Sequence, residues 1–233
     1  MTATIALTQP VLSQVTSRLR SVDLAGPAGR LEAVVNEGAP DAPFAALICH
    51  PHPLGGGNLH NKVVYHAMKV LNEPRWGFNS PVLRFNFRGT GTSEGVHDGE
   101  AEAEDVHAAL RWLQKEYQRP IVLAGFSFGA AMAIAACCGS QSIDVRALVA
   151  LGLPAQNGDR VYRYPSLEKL TLPKLFISGD HDQFAPAHRL TQIVATAADP
   201  KKLALIQGSD HFFTGHLTAM QKLLAAWLKE HTQ

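Results

Sequence analysis

The sequence predicts an α/β fold: an open, mostly parallel sheet with helices on both faces. Three observations predict it. Strand-like segments alternate with helical segments of ten or more residues along almost the whole chain, an order that demands parallel strands joined by crossover helices. A hairpin-like pair of strands stands at the start and suits the edge of an open sheet better than the closure of a barrel, which would need eight such units. The 233 residues are 46% apolar and only 18% charged, which describes a chain with a large interior and length for one generous domain.

The first twenty residues, MTATIALTQPVLSQVTSRLR, lack a basic n-region. Their apolar run is short and Pro10 interrupts it, so they read as a loose leader over residues 1–19 rather than a secretory signal. One domain is expected over residues 20–233. RSVDLAGPAGRLEAVVNEG reads as two strands about the turn from Gly26 to Gly29, and PFAALICHPHP as a buried strand ending at His50. In NLHNKVVYHAMKVL, Val63, Val64, Ala67, Met68 and Leu71 fall at helical spacing, and SPVLRFNFRG returns to a strand. EAEAEDVHAALRWLQKEY carries acids in its first turns, favoured at the positive end of a helix dipole. The strand PIVLAGF follows, then a helix after Ser127 and the strands VRALVALGL and KLFISGD. The helix PAHRLTQIVATA, the strand KLALIQG and the helix LTAMQKLLAAWLKEH close the chain. The longest loop-like interval, from Pro154 to Pro173, has a length that often signals function but is too short for a separate lid domain.

Ile121 to Cys138 carries no charge, and Gly125 and Gly129 make a GxxxG pair, so the segment also matches a membrane helix. The period argues otherwise. The β-type residues IVL come first, glycines intervene and small helix formers follow, which a buried strand, a tight turn and a buried helix explain without lipid. GFSFG then fits GxSxG, a strand-to-helix turn that presents a serine nucleophile. Residues without a β-carbon two before and two after Ser127 permit the close chain approach such a turn requires. The helix that follows aims its free N–H groups at a developing oxyanion.

A serine hydroxyl needs a base, and the base needs an orienting carboxylate. His211 follows the last strand directly, with His216 as its rival; Asp180 and Asp182 follow the preceding strand. Proline chemistry also narrows the second oxyanion donor. In HPHPLGGG, Pro51 and Pro53 have no N–H, leaving His52 or Leu54 beside the N–H of Phe128.

With HPHPLGGGNLHNKVV, RFNFRGTGTSEG, GFSFG, SGDHDQFAP and DHFF in this order, the chain resembles the α/β-hydrolase superfamily. It looks most like small, lidless bacterial serine hydrolases of the dienelactone-hydrolase-like and esterase-like group. The resemblance spans about residues 20 to 230. It implies an α/β-hydrolase fold with Ser127 as nucleophile. It prefers Asp182, in the pattern G-x-x-D-x-x-x-P, over Asp180 as the acid, and it makes His211 the base. It favours His52 over Leu54 in the oxyanion hole. One departure is GEAE at Gly99 to Glu102, where relatives often have Gly-x-Gly-Glu.

The function expected is a serine hydrolase cleaving a carboxylic ester or thioester through an acyl-enzyme on Ser127. Acyl transfer, peptide or amide cleavage with the same residues, and a noncatalytic binding module on this fold are the alternatives. No cofactor or metal is expected: His50, His52, His60 and His66 straddle a loop and a helix without a carboxylate or cysteine pattern. Gly89, Gly91 and Gly95 do not give GxGxxG, so RGTGTSEG reads as a loop clamped by Arg88 with Glu94 or Asp98. With 21 basic against 20 acidic residues no nucleic-acid partner is expected, and no membrane partner, only a small-molecule acyl substrate. Cys49, Cys137 and Cys138 form no disulfide framework and point to a reducing, cytoplasmic setting, the last two as small core residues.

Overall fold

The structure, a computed structural model, describes residues 19–137 and 143–232. The leader up to residue 18 and Cys138 lie outside the described residues. Strands β1 (Leu19–Gly26) and β2 (Gly29–Asn36) form the expected hairpin, paired antiparallel from Leu19 opposite Asn36 to Gly26 opposite Gly29. Then come β3 (Ala45–Cys49), α1 (Lys62–Asn72), β4 (Val82–Phe85), α2 (Glu102–Tyr117), β5 (Ile121–Phe126) and α3 (Phe128–Cys137). The chain continues through β6 (Val145–Leu151), the short pair β7 (Gln156–Asn157) and β8 (Arg160–Val161), β9 (Lys174–Gly179), α4 (Ala187–Thr196), β10 (Lys201–Ile206) and α5 (Leu217–His231).

Eight strands form one sheet in the order β1-β2-β4-β3-β5-β6-β9-β10. From β4 onward every neighbouring pair is parallel, while β2 meets β4 antiparallel. β3, β4, β5 and β9 are buried at every position, because helices cover both faces. Successive residues serve opposite sides. Ala45, Leu47, Cys49, Ile121 and Leu123 pack with α2, α3 and α4, whereas Ala46, Ile48, Val122, Ala124 and Phe126 pack with α1 and α5. Burying each large apolar side chain contributes about 1.5–3 kcal/mol, so removing one central strand residue would open both the sheet and a helix seat.

The strand order places the site. From β3 the chain passes through α1 to β4 on one side, then through α2 to β5 on the other. The loops leaving β3 and β5 therefore diverge, and a crevice opens between them at the carboxyl edge, where open α/β sheets hold their ligands.

Two expectations change. The interval from Pro154 to Pro173 is not an unstructured loop: β7 and β8 pair as a hairpin, and Pro165–Glu168 makes a 3-10 turn. Strands of two residues carry no periodicity to read. β3 ends one residue early, at Cys49, because His50 turns inward, accepting the Phe87 N–H at Nε2 and donating from Nδ1 to the Pro51 carbonyl. Among the described residues no helix is long and apolar enough to cross a membrane; β5 and α3 divide the apolar run of residues 121–138.

Candidate active site

Ser127 sits between β5 and α3 with φ +55°, in the left-handed region that costs a non-glycine residue about 1–3 kcal/mol. Its neighbours hold it there. The Ser127 N–H donates to the Leu151 carbonyl of β6, and its own carbonyl accepts from Ala130 and Ala131 as α3 begins. A β-carbon at Gly125 would stand 2.4 Å from the backbone of Gly129, and one at Gly129 would stand 2.4 Å from the Cys49 carbonyl oxygen. Both contacts are with backbone, so no side chain can give way; glycine at these two places is a packing requirement of the turn.

The structure brings Ser127, His211 and Asp182 together. His211 Nε2 is 3.0 Å from Ser127 Oγ, and Nδ1 is 2.8 Å from Asp182 Oδ2. His211 and Asp182 are each 2% exposed, so the charge of the carboxylate is answered locally rather than by water. Ser178 Oγ donates to Oδ2 at 2.8 Å, and the N–H groups of Phe184 and Ala185 donate to Oδ1 at 2.8 and 3.1 Å. The two turns that carry acid and base are joined: the Asp180 N–H donates to the Ile206 carbonyl, the His181 N–H to the Ser209 carbonyl. The rivals go elsewhere. Asp180 Oδ1 accepts the Gly208 N–H at 2.7 Å and so ties the turn after β10, and His216 Nδ1 donates to the Thr214 carbonyl at the start of α5.

Phe128 heads α3, its N–H adjoining Ser127. Of the two residues left open for a second donor, Leu54 gives its N–H to His52 Nδ1 at 3.3 Å and is 83% exposed. His52 lines the same cavity as Ser127 and packs its ring on Phe128 with centroids 4.9 Å apart. Burial pushes the His52 imidazole below its ordinary pKa, and the neighbouring His97 and Arg160 push the same way. A β-carbon at Gly57 would stand 2.1 Å from the Pro51 carbonyl oxygen, so this glycine lets the loop fold back over the site.

Behind these rings lies a pair that the sequence reading did not single out. His97 packs against both His52 and Phe128, at 4.8 and 5.4 Å, and its Nδ1 lies 2.5 Å from Oε1 of the fully buried Glu102. Glu102 also accepts the N–H groups of Asp98 and Gly99. GEAE, noted only as a departure, is thus the segment that supplies a buried carboxylate to the wall. Ser178, four residues before Asp182 in FISGDHD, went unremarked too; a hydroxyl four residues before the acid was the available signal.

Other sequence expectations resolve differently. Arg88 does not pair with Glu94 or Asp98. Its guanidinium meets Asp105 of α2 at 2.7 Å, a contact that holds it further above its ordinary pKa. Glu94 accepts the Arg30 N–H, and Asp98 Oδ1 accepts the N–H groups of Glu100 and Ala101 ahead of α2. The reason is burial: the Arg88 side chain is 10% exposed and needs a carboxylate inside the core, which α2 supplies and the loop does not. Among the described residues no three His, Cys, Asp or Glu side chains gather as a metal set. Cys49 is buried and its thiol is pushed up by that burial; Cys137 is partly buried at the end of α3.

Ser127 and His211 open into a cavity of about 110 Å³ walled by Pro154, Phe184 and Phe212. The arrangement can present a serine oxygen to a carbonyl carbon with an imidazole and a buried carboxylate in line behind it. Compared with known proteins, the chain is 36% identical over 198 residues to an uncharacterized protein of Rickettsia prowazekii (strain Madrid E), covering 81% of this chain and 79% of that one. An alpha-beta serine hydrolase homologue from Coxiella burnetii superposes with a TM-score of 0.77 at 33% identity over 89% of this chain and 96% of its own. XC6422 from Xanthomonas campestris, an a/b serine hydrolase without lid, gives 0.76 at 29% identity over 91% and 94%. The model of the alpha/beta hydrolase domain matches residues 55–228, three quarters of the chain, and the chain belongs to that family.

Proposed function

We propose that the chain is a serine hydrolase that cleaves a carboxylic ester or thioester through an acyl-enzyme on Ser127. One observation carries the reading: the unbroken line from Asp182 through His211 to a serine oxygen held on a left-handed turn. Family membership and the likeness to the Coxiella and Xanthomonas proteins support the hydrolase class.

In this mechanism His211 Nε2 takes the Ser127 Oγ proton as Oγ bonds the acyl carbon. The carbonyl electron pair moves onto oxygen, where the N–H groups of Phe128 and His52 receive it. Collapse of that oxyanion breaks the bond to the leaving group, which departs with the proton from His211. Water then repeats the steps: His211 removes its proton, the hydroxide oxygen bonds the acyl carbon, and Ser127 leaves protonated as the acid is released. Asp182 steadies the imidazolium in both halves. Esters and thioesters are favoured over amides because alkoxide and thiolate leave more readily than an amine.

Fluorophosphonate labelling read by intact mass tests this. One adduct on the wild type, none on Ser127→Ala, and turnover of a soluble short-chain ester by the wild type alone are expected. Labelling that survives Ser127→Ala in a folded protein would overturn the reading.

A further inference from the structure

We propose that the site accepts a short acyl group at Ser127 and a larger, anion-bearing leaving group that runs between the β7–β8 hairpin and α4 to Arg189. The proposal rests on the serine-hydrolase reading and names its substrate class.

Size comes first. The cavity at Ser127, about 110 Å³, is well below the roughly 300–1,000 Å³ of small-molecule sites. Two larger hollows share walls with it. One, of about 410 Å³, shares Asn157 and Phe184 with the Ser127 cavity; the other, of about 590 Å³, shares Tyr162. Arg189 and Ala155 line both. Most of a substrate's bulk therefore fits beyond Phe184 and Tyr162, not beside Ser127.

Direction comes from the base. The leaving atom must take its proton from His211 Nε2, so the leaving group has to depart along the His211 side. The His211 ring packs against Phe184 with centroids 4.6 Å apart, and Phe184 is the wall shared with the hollow that Arg189 lines. The acyl group keeps the small cavity.

Charge sets the chemistry. Arg189 and Arg163 line the larger hollow and His188 the smaller, against the single carboxylate Glu168. Among the described residues neither arginine forms an ion pair within 4.0 Å. The remaining polar walls are uncharged, Gln156, Asn157 and Gln183 in the smaller hollow and Tyr162 and Gln192 in the larger, where Ile193 adds apolar surface, so a chain with both amide and methylene links suits them. A guanidinium with no ion-pair partner among the described residues, at the far end of such a groove, matches a carboxylate or a phosphate, both of which it can grip through two N–H groups.

The test compares hydrolysis of three acetyl thioesters: neutral S-acetyl-N-acetylcysteamine, carboxylate-bearing S-acetylglutathione and phosphate-bearing S-acetyl-4′-phosphopantetheine. A further pair of esters, methyl butyrate and methyl hydrogen glutarate, places the anion on the acyl side instead. At low salt the wild type should favour at least one anionic thioester over the neutral one by about fivefold in kcat/KM, through KM, as an exposed charge pair permits. The better of the two identifies carboxylate or phosphate as the recognised group. Arg189→Gln should erase the preference while leaving the neutral thioester within about twofold and the Tm unchanged, and about 0.5 M NaCl should do the same to the wild type. Equal rates on all three thioesters, or a preference that survives Arg189→Gln, overturns the subsite. Preference for the glutarate ester alone overturns its direction. Failure of the neutral thioester together with absent Ser127 labelling would instead refute the hydrolase reading itself.

Discussion

Asp182→Asn separates a positioned carboxylate from a merely polar one, and the structure dictates how the damage arises. Oδ1 accepts two backbone N–H groups, from Phe184 and Ala185. In the variant the amide oxygen must stay there, since an NH2 facing two donors would leave all of them unpaired. The NH2 therefore occupies the Oδ2 position, 2.8 Å from His211 Nδ1. Ser178 can turn its hydroxyl and accept, but His211 can only answer an N–H donor by giving up the proton on Nδ1. The neutral ring then carries its proton on Nε2, the atom 3.0 Å from Ser127 Oγ, and cannot receive another. The fold survives while the base is lost. We expect kcat to fall about 10³ to 10⁴-fold, as the equivalent change does in other serine enzymes, or about 4 to 5.5 kcal/mol in barrier. Asp180→Asn should cost less than about threefold, because its amide oxygen can still accept the Gly208 N–H. Steady-state hydrolysis of a soluble short-chain ester, with melting curves alongside, decides it. A loss below tenfold in Asp182→Asn, or an equal loss in Asp180→Asn, would refute the tautomer argument.

Ser127→Gly should abolish turnover yet raise stability by up to about 1 kcal/mol, because glycine adopts φ +55° without strain; a lower Tm than wild type would show that the turn is unstrained. Gly129→Ala should destabilise by more than about 2 kcal/mol, as its β-carbon meets the Cys49 carbonyl at 2.4 Å, and a wild-type urea midpoint would contradict this. Burial pushes the His50 pKa down to about 4 from 6.5. The unfolded chain then binds the proton more tightly, so stability is complete above about pH 6.5 and is lost as pH falls towards 4, by about 3 kcal/mol at most. Urea titrations across that window should show the decline for the wild type and a shallower one for His50→Gln; equal slopes would argue against a neutral, buried His50.

The main sheet and its covering helices were legible because each buried strand is an apolar run closed by a turn and the helices other than α3 repeat their apolar residues every three or four positions, while α3, apolar all round, was marked by the glycine turn before it. Ser127, His211 and an acid at Asp180 or Asp182 were readable as neighbours for a related reason: each lies in the turn after a strand of a parallel sheet, and all such turns lie on one edge, while the choice of Asp182 came from the family resemblance. What escaped has no period. The β7–β8 hairpin has two residues per strand, and its role as a wall of the hollows depends on where it folds, not on its composition. The partner of Arg88 was misassigned to the nearest acids in sequence, Glu94 and Asp98, since only the docking of α2 brings Asp105 to it. Likewise, nothing in VHDGEAE announces that His97 and Glu102 stand behind the rings of His52 and Phe128.

The joined turns after β9 and β10 tie Asp182 to His211 more closely than either is tied to Ser127. Asp182 and His211 travel together, because His181 and Asp180 are bonded to the segment that carries His211. Ser127 is anchored separately, between β5 and α3, and β6 lies between β5 and β9 as the spacer. A slight slide or twist at β6 would leave the acid–base distance untouched while changing the reach from imidazole to hydroxyl. Packing residues of that strand, Ala147 to Ala150, thereby bear on the gap between imidazole and hydroxyl, while Leu151 holds Ser127 directly through its carbonyl.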